Sequence, residues 1–394
     1  MRLLQINVDS ALYSCGKICE DIAKVAQSEG WETYIAFGRE RKDGVNKEIK
    51  IGNWPVVYEH YFENKFFDNE GLASRFATHK LVRKIEKINP DIIHLHLIHD
   101  HYINYRILFN YLAQTDIPVI WTQHDCWSFT GGCMYPDLYS CEQWKDTCLK
   151  CPYKRSLLFD QTTRQFKLKN KFFSKVKNLT LVPVSNWLGN LLMESFHCNR
   201  NIVTIHNGIN IEIFRPYNNK SSEKFEIIGV AAVWDKRKGL EDFIKLRELL
   251  PAEKFGITLV GLLREQIKML PDGIRGIERT HNAEELAKLY SYSNVYVNPT
   301  YSDNFPTTNI EALACGTPVI TYQTGGSPES IDEQTGVIVK QGDINMLASE
   351  IIKMCDFPKL ASDCRKRAEK LFDKDKCFRK YIDLYKKSLS QQDV

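Results

Sequence analysis

The stretch Asn294–Tyr322, NVYVNPTYSDNFPTTNIEALACGTPVITY, reads as strand, loop, helix and strand in direct succession. Val295 to Val297 is a short β-prone run ending at Pro299, and Pro318 to Tyr322 is a second. Between them Thr308–Cys315 carries small and aliphatic residues and stops at Gly316, the residue type favoured just past a helix end. Two strands joined by one helix form a βαβ unit. The loop Tyr301–Thr307 therefore leaves the carboxyl end of a strand, where ligands of such sheets bind. Asp303 stands in that loop beside an exposed-looking Phe305-Pro306, and Glu311 follows eight positions after Asp303. A helix start presents free N–H groups and partial positive charge, which suits phosphate. Carboxylates placed there would repel phosphate unless they face sugar hydroxyls, so the pattern suggests a nucleotide sugar. Simpler roles compete: Glu311 forms a capping box with Thr308, and Asp303 serves as an Asx-turn residue.

The same rhythm extends outward. RLLQINV, KICEDIAKVAQSEG and ETYIAF alternate strand, helix and strand from the start, and DIIHLHL and PVIWTQH continue it. After the polar linker YNNKSSEKF, residues 217–225, it restarts with EIIGVAAV and GITLVG. With 394 residues, the chain fits two domains, each able to bury a core. Its 43% apolar and 26% charged residues are globular values, and a net charge of +4 is too mild for nucleic acid. No apolar run reaches membrane-spanning length and MRLLQINVDS is no signal core, so the cytoplasm is the expected location.

Cys133, Cys141, Cys148 and Cys151 cluster in a turn-rich segment, the last two as Cys-x-x-Cys before Pro152. Four thiolates so spaced are candidate ligands for a structural zinc that staples the loop; unligated thiols are the alternative. Residues 162–178 carry six Lys or Arg and no acid, interleaved with Phe166, Phe172, Phe173 and Val176. Such a segment suits either a solvated helix over a core stripe or contact with an anionic membrane face. His94, His96, His99 and His101 lack a carboxylate pattern for a metal and suggest acceptor contacts at a sheet edge.

Asp303 with Glu311 resembles the acid-x7-Glu signature of the retaining nucleotide-sugar glycosyltransferases of family four, enzymes of bacterial surface-polysaccharide biosynthesis among them. IHNGINIEIFRP (205–216) is similar to their Asn-Gly-Ile-Asp motif, with Asn210 in place of Asp. DKRKGLEDF (235–243) is similar to their phosphate-binding Lys-Gly segment, and TQHDCWSFTGGC (122–133) to their His-Asp turn. The resemblance implies a GT-B fold: two Rossmann-like doubly wound α/β domains facing across a cleft, with a C-terminal helix crossing back. The expected division is 1–190 (acceptor side, with a Cys-rich loop at 126–152), 191–375 (donor side) and 376–394 (helix).

It also implies transfer of a hexosyl or N-acetylhexosaminyl group, with retention, from a UDP-sugar to a growing glycan. A polyprenyl-linked acceptor would place the enzyme at the inner face of the membrane. By the same resemblance Lys238 contacts the donor diphosphate, His124 faces the donor sugar, Asp303 holds sugar hydroxyls and Glu311 holds the ribose diol. Gly16 lets backbone approach the donor, and Asn304, Phe305, Thr307 and Thr308 complete the donor loop. Ala232 stands where the family has Arg, leaving Arg237 or Lys236 to supply that charge, and Pro306 replaces a Gly. The only Asp-x-Asp, Asp373-Lys374-Asp375, reads as charge capping the last helix, so catalysis without a divalent ion is expected. The rival readings are a nucleotide-sugar isomerase or epimerase, and an inactive zinc-stapled carbohydrate-binding protein.

Overall fold

The computed structural model describes residues 1–42, 44, 46–149, 151–153, 156–217 and 222–391. Part of the expected linker, residues 218–221, lies outside the described residues, as do 150 in the Cys-rich loop and 392–394 at the chain end. The chain divides into two compact units, Met1–His206 with the segment from Phe378 onward, and Asn207–Cys377.

In the first unit seven parallel strands form one sheet: β1 (Arg2–Asn7), β2 (Glu32–Phe37), β3 (Lys47–Lys50), β4 (Ile92–Leu95), β5 (Val119–Gln123), β6 (Leu179–Pro183) and β7 (Asn201–Ile202). Their order is β3-β2-β1-β4-β5-β6-β7, with Leu3 opposite Ile92 across the central pair. β1, β4 and β5 are buried along nearly their whole length, which explains why they read as continuous apolar runs rather than alternating ones. Short β7 pairs with β6 and carries the unit's sheet to Ile202. The final helix, Lys374–Ser390, contributes Tyr381 and Tyr385 to this unit's core, and Arg379 pairs with Glu29 at 2.7 Å.

The second unit holds a six-stranded parallel sheet: β8 (Phe225–Val230), β9 (Phe255–Val260), β10 (Ile274–Ile277), β11 (Val295–Asn298), β12 (Val319–Tyr322) and β13 (Gly336–Val339). The order is β10-β9-β8-β11-β12-β13. Phe243, Leu246, Leu259, Val297, Ile320 and Leu347 form its core. Strand order reverses between β1 and β4 in one sheet and between β8 and β11 in the other. At such switch points the two flanking loops diverge and leave a crevice, so each unit has one place where a ligand fits best.

Candidate functional site

At the second unit's switch point, the loop after β8 meets the loop after β11. Lys236–Lys238 forms a single 3₁₀ turn, capped by Asp235, whose Oδ1 accepts from Lys238 N at 3.1 Å. The turn is stitched to the neighbouring loop: Tyr301 N donates to Arg237 O at 2.7 Å, and the Arg237 guanidinium donates to Ser302 O at 2.9 Å. The result is an ion pair, Lys238 Nζ to Asp303 Oδ2 at 2.5 Å, with the two side chains only 18% and 16% exposed. Two glycines make this approach possible. A Cβ on Gly239 (φ +73°) would lie 2.3 Å from Pro299 O, and one on Gly325 (φ +53°) would lie 1.8 Å from Asp303 O. Neither position accepts a side chain without moving the loop.

The helix after this loop runs Thr307–Ala314 with Pro306 at its N-cap and no side-chain cap. Thr308 thus lies inside the helix, and the capping box is not formed. Glu311 is half-buried and its Oε2 accepts from Tyr290 Oη at 3.2 Å. Phe305, exposed-looking in sequence, is buried with its ring 5.8 Å from that of Phe372. Its aromatic side chain anchors the loop. Asn304 is buried as well, while Thr307 and Thr308 are half-buried at the helix start. Of the two candidate replacements for the missing Arg, Arg237 sits against the Asp303 loop, whereas Lys236 is exposed.

In the first unit, the loops after β1, β2 and β4 enclose a cavity of about 310 Å³ lined by Asp9, Tyr13, Gly16, Arg39, Glu40 and Asp100 among others. Gly16 lies in the first turn of the helix Tyr13–Ser28, and a Cβ there would stand 3.3 Å from Ala11 N and Asp9 O. Burial raises the Asp9 carboxyl against the lowering effect of the Glu40 amide, which donates to it at 2.9 Å. Three carboxylates and one guanidinium give this cavity a lining suited to hydroxyl groups rather than to a polyanion.

His124 follows β5 and is fixed by a relay of buried groups. Gln5 Nε2 donates to Cys19 O at 2.8 Å, so Gln5 Oε1 is free to accept from His96 Nε2 at 3.0 Å. His96, held neutral by burial, therefore carries its proton on Nε2 and a lone pair on Nδ1. That lone pair receives His124 Nε2–H at 3.3 Å. Burial pushes His124 down to about 4, so it is neutral at pH 7 and its own lone pair sits on Nδ1. Behind them His94 lies tilted against His96 with ring centroids 3.9 Å apart, accepts from Tyr385 Oη on Nδ1 at 2.6 Å, and donates from Nε2 to Thr122 Oγ1 at 2.7 Å. His94 and His96 thus lie buried mid-sheet, and the expectation that they contact an acceptor at a sheet edge does not hold. His99 differs: burial would lower it, but Asp125 at 2.9 Å and Asp100 at 3.7 Å outweigh that and hold it protonated.

Two family models cover the two units: "Glycosyltransferase Family 4" matches residues 16–213, half of the chain, and "Glycosyl transferases group 1" matches 216–371. The chain belongs to Glycosyltransferase Family 4. A putative colanic acid biosynthesis glycosyl transferase of Escherichia coli K12 is 27% identical over 39% of this chain and 40% of its own length. A capsular polysaccharide biosynthesis glycosyltransferase of Staphylococcus aureus is 24% identical over 54% of this chain and 63% of its own. The matches thus span about half the length of these relatives. Among solved structures, Anabaena Alr3699/HepE in complex with UDP superposes with a TM-score of 0.66 at 16% identity, over 98% of this chain and 100% of that one. That likeness establishes a GT-B fold.

In this family-4 chain the basic helix spans Thr162–Phe173, with Phe166, Phe172 and Phe173 buried and Arg164, Lys167 and Lys171 exposed. Its aromatic stripe belongs to the core. Sequence reasoning missed the exposed aromatics beside it: Trp54, Tyr58, Phe62 and Phe67 on helix Trp54–Phe67, with Phe159 stacked 5.9 Å from Phe67. Their lack of helical periodicity hid them, since apolar and polar residues are spread round the helix without one apolar face. Also missed was a buried polar lattice, Asn298 Nδ2 to Asn309 Oδ1 at 2.7 Å and Asn309 Nδ2 to Ser330 Oγ at 2.8 Å, which ties helix Thr307–Ala314 to the sheet. No described helix is long and apolar enough to cross a membrane.

Proposed function

We propose that this chain transfers a sugar, with retention, from a nucleotide-sugar donor to a growing glycan in polysaccharide biosynthesis. The observation that carries the reading is the Lys238–Asp303 pair at the second unit's switch point, stitched between two ligand-facing loops. Lysine has three donor hydrogens, so Lys238 can keep Asp303 and still bind an oxygen of the leaving diphosphate. Charge develops on that phosphate as the glycosidic bond breaks, and a cation already fixed in place stabilises it most. Arg237 supplies the second positive charge in place of the residue absent at Ala232. Asp303 accepts from donor-sugar hydroxyls and Glu311 from the ribose diol, with the amides of Phe305, Thr307 and Thr308 near the phosphates. UDP is the proposed leaving group, since a protein of like fold binds it.

His124, neutral at pH 7, faces the donor sugar without adding a charge, and Gly16 allows close backbone approach. With retention, the departing phosphate oxygen takes the acceptor's proton, so no separate base is needed. The hydroxyl-matched cavity around Asp9 and Arg39 is the proposed acceptor seat. Exposed lysines of Thr162–Phe173 and the neighbouring aromatics are the proposed contact with a membrane bearing a lipid-linked acceptor.

Thermal stabilisation by a panel of nucleotides tests the donor site. UDP at a hundred times its dissociation constant should add about 2.7 kcal/mol to the wild type and nothing to Lys238→Ala with intact circular dichroism. Equal stabilisation of both would remove Lys238 from the site. Incubation with donor alone separates the rival isomerase, which would convert the sugar without an acceptor.

A further inference from the structure

From the end of β5 to the helix Thr162–Phe173 the chain runs through three single 3₁₀ turns, Trp127–Phe129, Asp137–Tyr139 and Gln143–Lys145, with no longer element among the described residues. So long an irregular connection inside a folded unit calls for its own anchor. Cys133, Cys141, Cys148 and Cys151 all line one apolar cavity of about 10 Å³, together with Thr130 and Trp144. That volume is about one water-sized body.

The cysteine backbones are individually fixed around it. Cys141 N donates to Pro136 O at 3.0 Å, Cys148 N donates to Gln143 O at 2.9 Å, and Thr130 Oγ1 donates to Cys133 O at 2.7 Å. Cys148 adopts φ +51°, a left-handed conformation that costs a side-chain-bearing residue and is usual at functional sites. Burial raises the Cys148 thiol, but two groups beside it favour negative charge on sulfur. Gly131 N–H donates to Cys148 Sγ at 3.3 Å. Lys169, 1% exposed, points its ammonium at Thr130 O (3.2 Å) on the cavity wall and Trp127 O (2.7 Å).

We propose that Cys133, Cys141, Cys148 and Cys151 bind one zinc ion that closes the loop after His124. Binding releases the thiol protons as four Zn–S bonds form, leaving a ZnS₄ centre of charge −2 that the Gly131 amide and the Lys169 ammonium offset. Among the described residues no three of these sulfurs lie within 4.8 Å of one another. Zn–S bonds of about 2.3 Å would draw them to about 3.8 Å apart, so the proposal requires the cysteine side chains to close around the ion. Glu70, His99 and Asp100 do cluster that closely, but hydrogen bonds among themselves and to Asp125 account for them.

The test is independent of glycosyl transfer. Full-length protein purified without chelators should hold about one zinc per chain, and Cys148→Ser and Cys151→Ser should lower this several-fold while Cys198→Ser does not. Replacement of zinc by cobalt(II) in the wild type should give the intense visible bands of a tetrahedral thiolate site, a readout that survives if the serine variants fail to fold. Zinc-free protein with no cobalt spectrum, or a mass two units low for each of two disulfides, would overturn the assignment.

Discussion

Lowering the pH from 7 to 5 should strip the first unit of much of its stability, because burial holds His60, His124 and His197 neutral. His60 shows the constraint: Nε2 accepts from Gly71 N at 2.8 Å while Nδ1 pairs with Ser74 Oγ at 2.9 Å, so a second ring proton would break the bond to Gly71. Burial lowers His60 and His197 to about 3 and His124 to about 4, from an ordinary value near 6.5. A group whose folded pKa is depressed takes up its proton first in the unfolded chain. Stability is therefore lost as pH falls below 6.5, and the loss levels off only near the folded value. Between pH 7 and 5 each of the three contributes about 2 kcal/mol of loss, roughly 6 in all. His99 works the other way, since its folded pKa is raised beside Asp125 and Asp100, and returns part of that loss over the same interval. Burial lowers His94 and His96 as well, which adds to the loss, so the total is comparable with the whole stability of an ordinary domain. Urea unfolding followed by tryptophan fluorescence, with Trp121, Trp127 and Trp144 buried in this unit, measures it directly. His60→Gln, which cannot gain that proton, should recover about 2 kcal/mol of the pH 5 deficit. A change below about 1 kcal/mol between the two pH values, or an identical deficit in His60→Gln, would refute the reasoning.

Gly325→Ala should cost about 1–3 kcal/mol, because the new Cβ meets Asp303 O in a backbone region that alanine avoids; thermal melts read the cost, and weaker UDP binding reads the displaced loop. Tyr385→Phe removes the hydroxyl that donates to His94 Nδ1 and should destabilise by about 1–3 kcal/mol in urea titration, with a neutral result placing that bond outside the stabilising set. Gln5→Leu should leave the fold standing while releasing the His96 tautomer. The histidine nitrogen shifts of His124 in NMR should then show a mixed proton position, and a shift pattern unchanged from the wild type would break the proposed relay.

Much of this architecture is legible in the amino-acid order because parallel strands buried on both faces must be runs such as IIHL and VIWTQ, whatever surrounds them. β3 escapes that logic: KEIK buries Ile49 alone at a sheet edge, so its two lysines outvote the strand. The site divides along the same line. Lys238, Gly239 and Asp303 carry local constraints, a charge at a turn and a glycine whose Cβ has no room, and these show in sequence. Glu311 does not, since Thr-x-x-Glu has the same form whether or not a helix begins at Thr308; the start at Thr307 after a proline decides against the cap, and only Tyr290, distant in sequence, reveals the carboxylate's bonding. The histidines are the sharper case. His94, His96 and His124 look alike as letters, yet Gln5, from the strand beside them, fixes which nitrogen of His124 bears hydrogen, through two bonds that exist only once β1 lies against β4. Protonation state is thus a property of strand order, and the nitrogen of His124 that bears hydrogen is set by the fold before any ligand arrives.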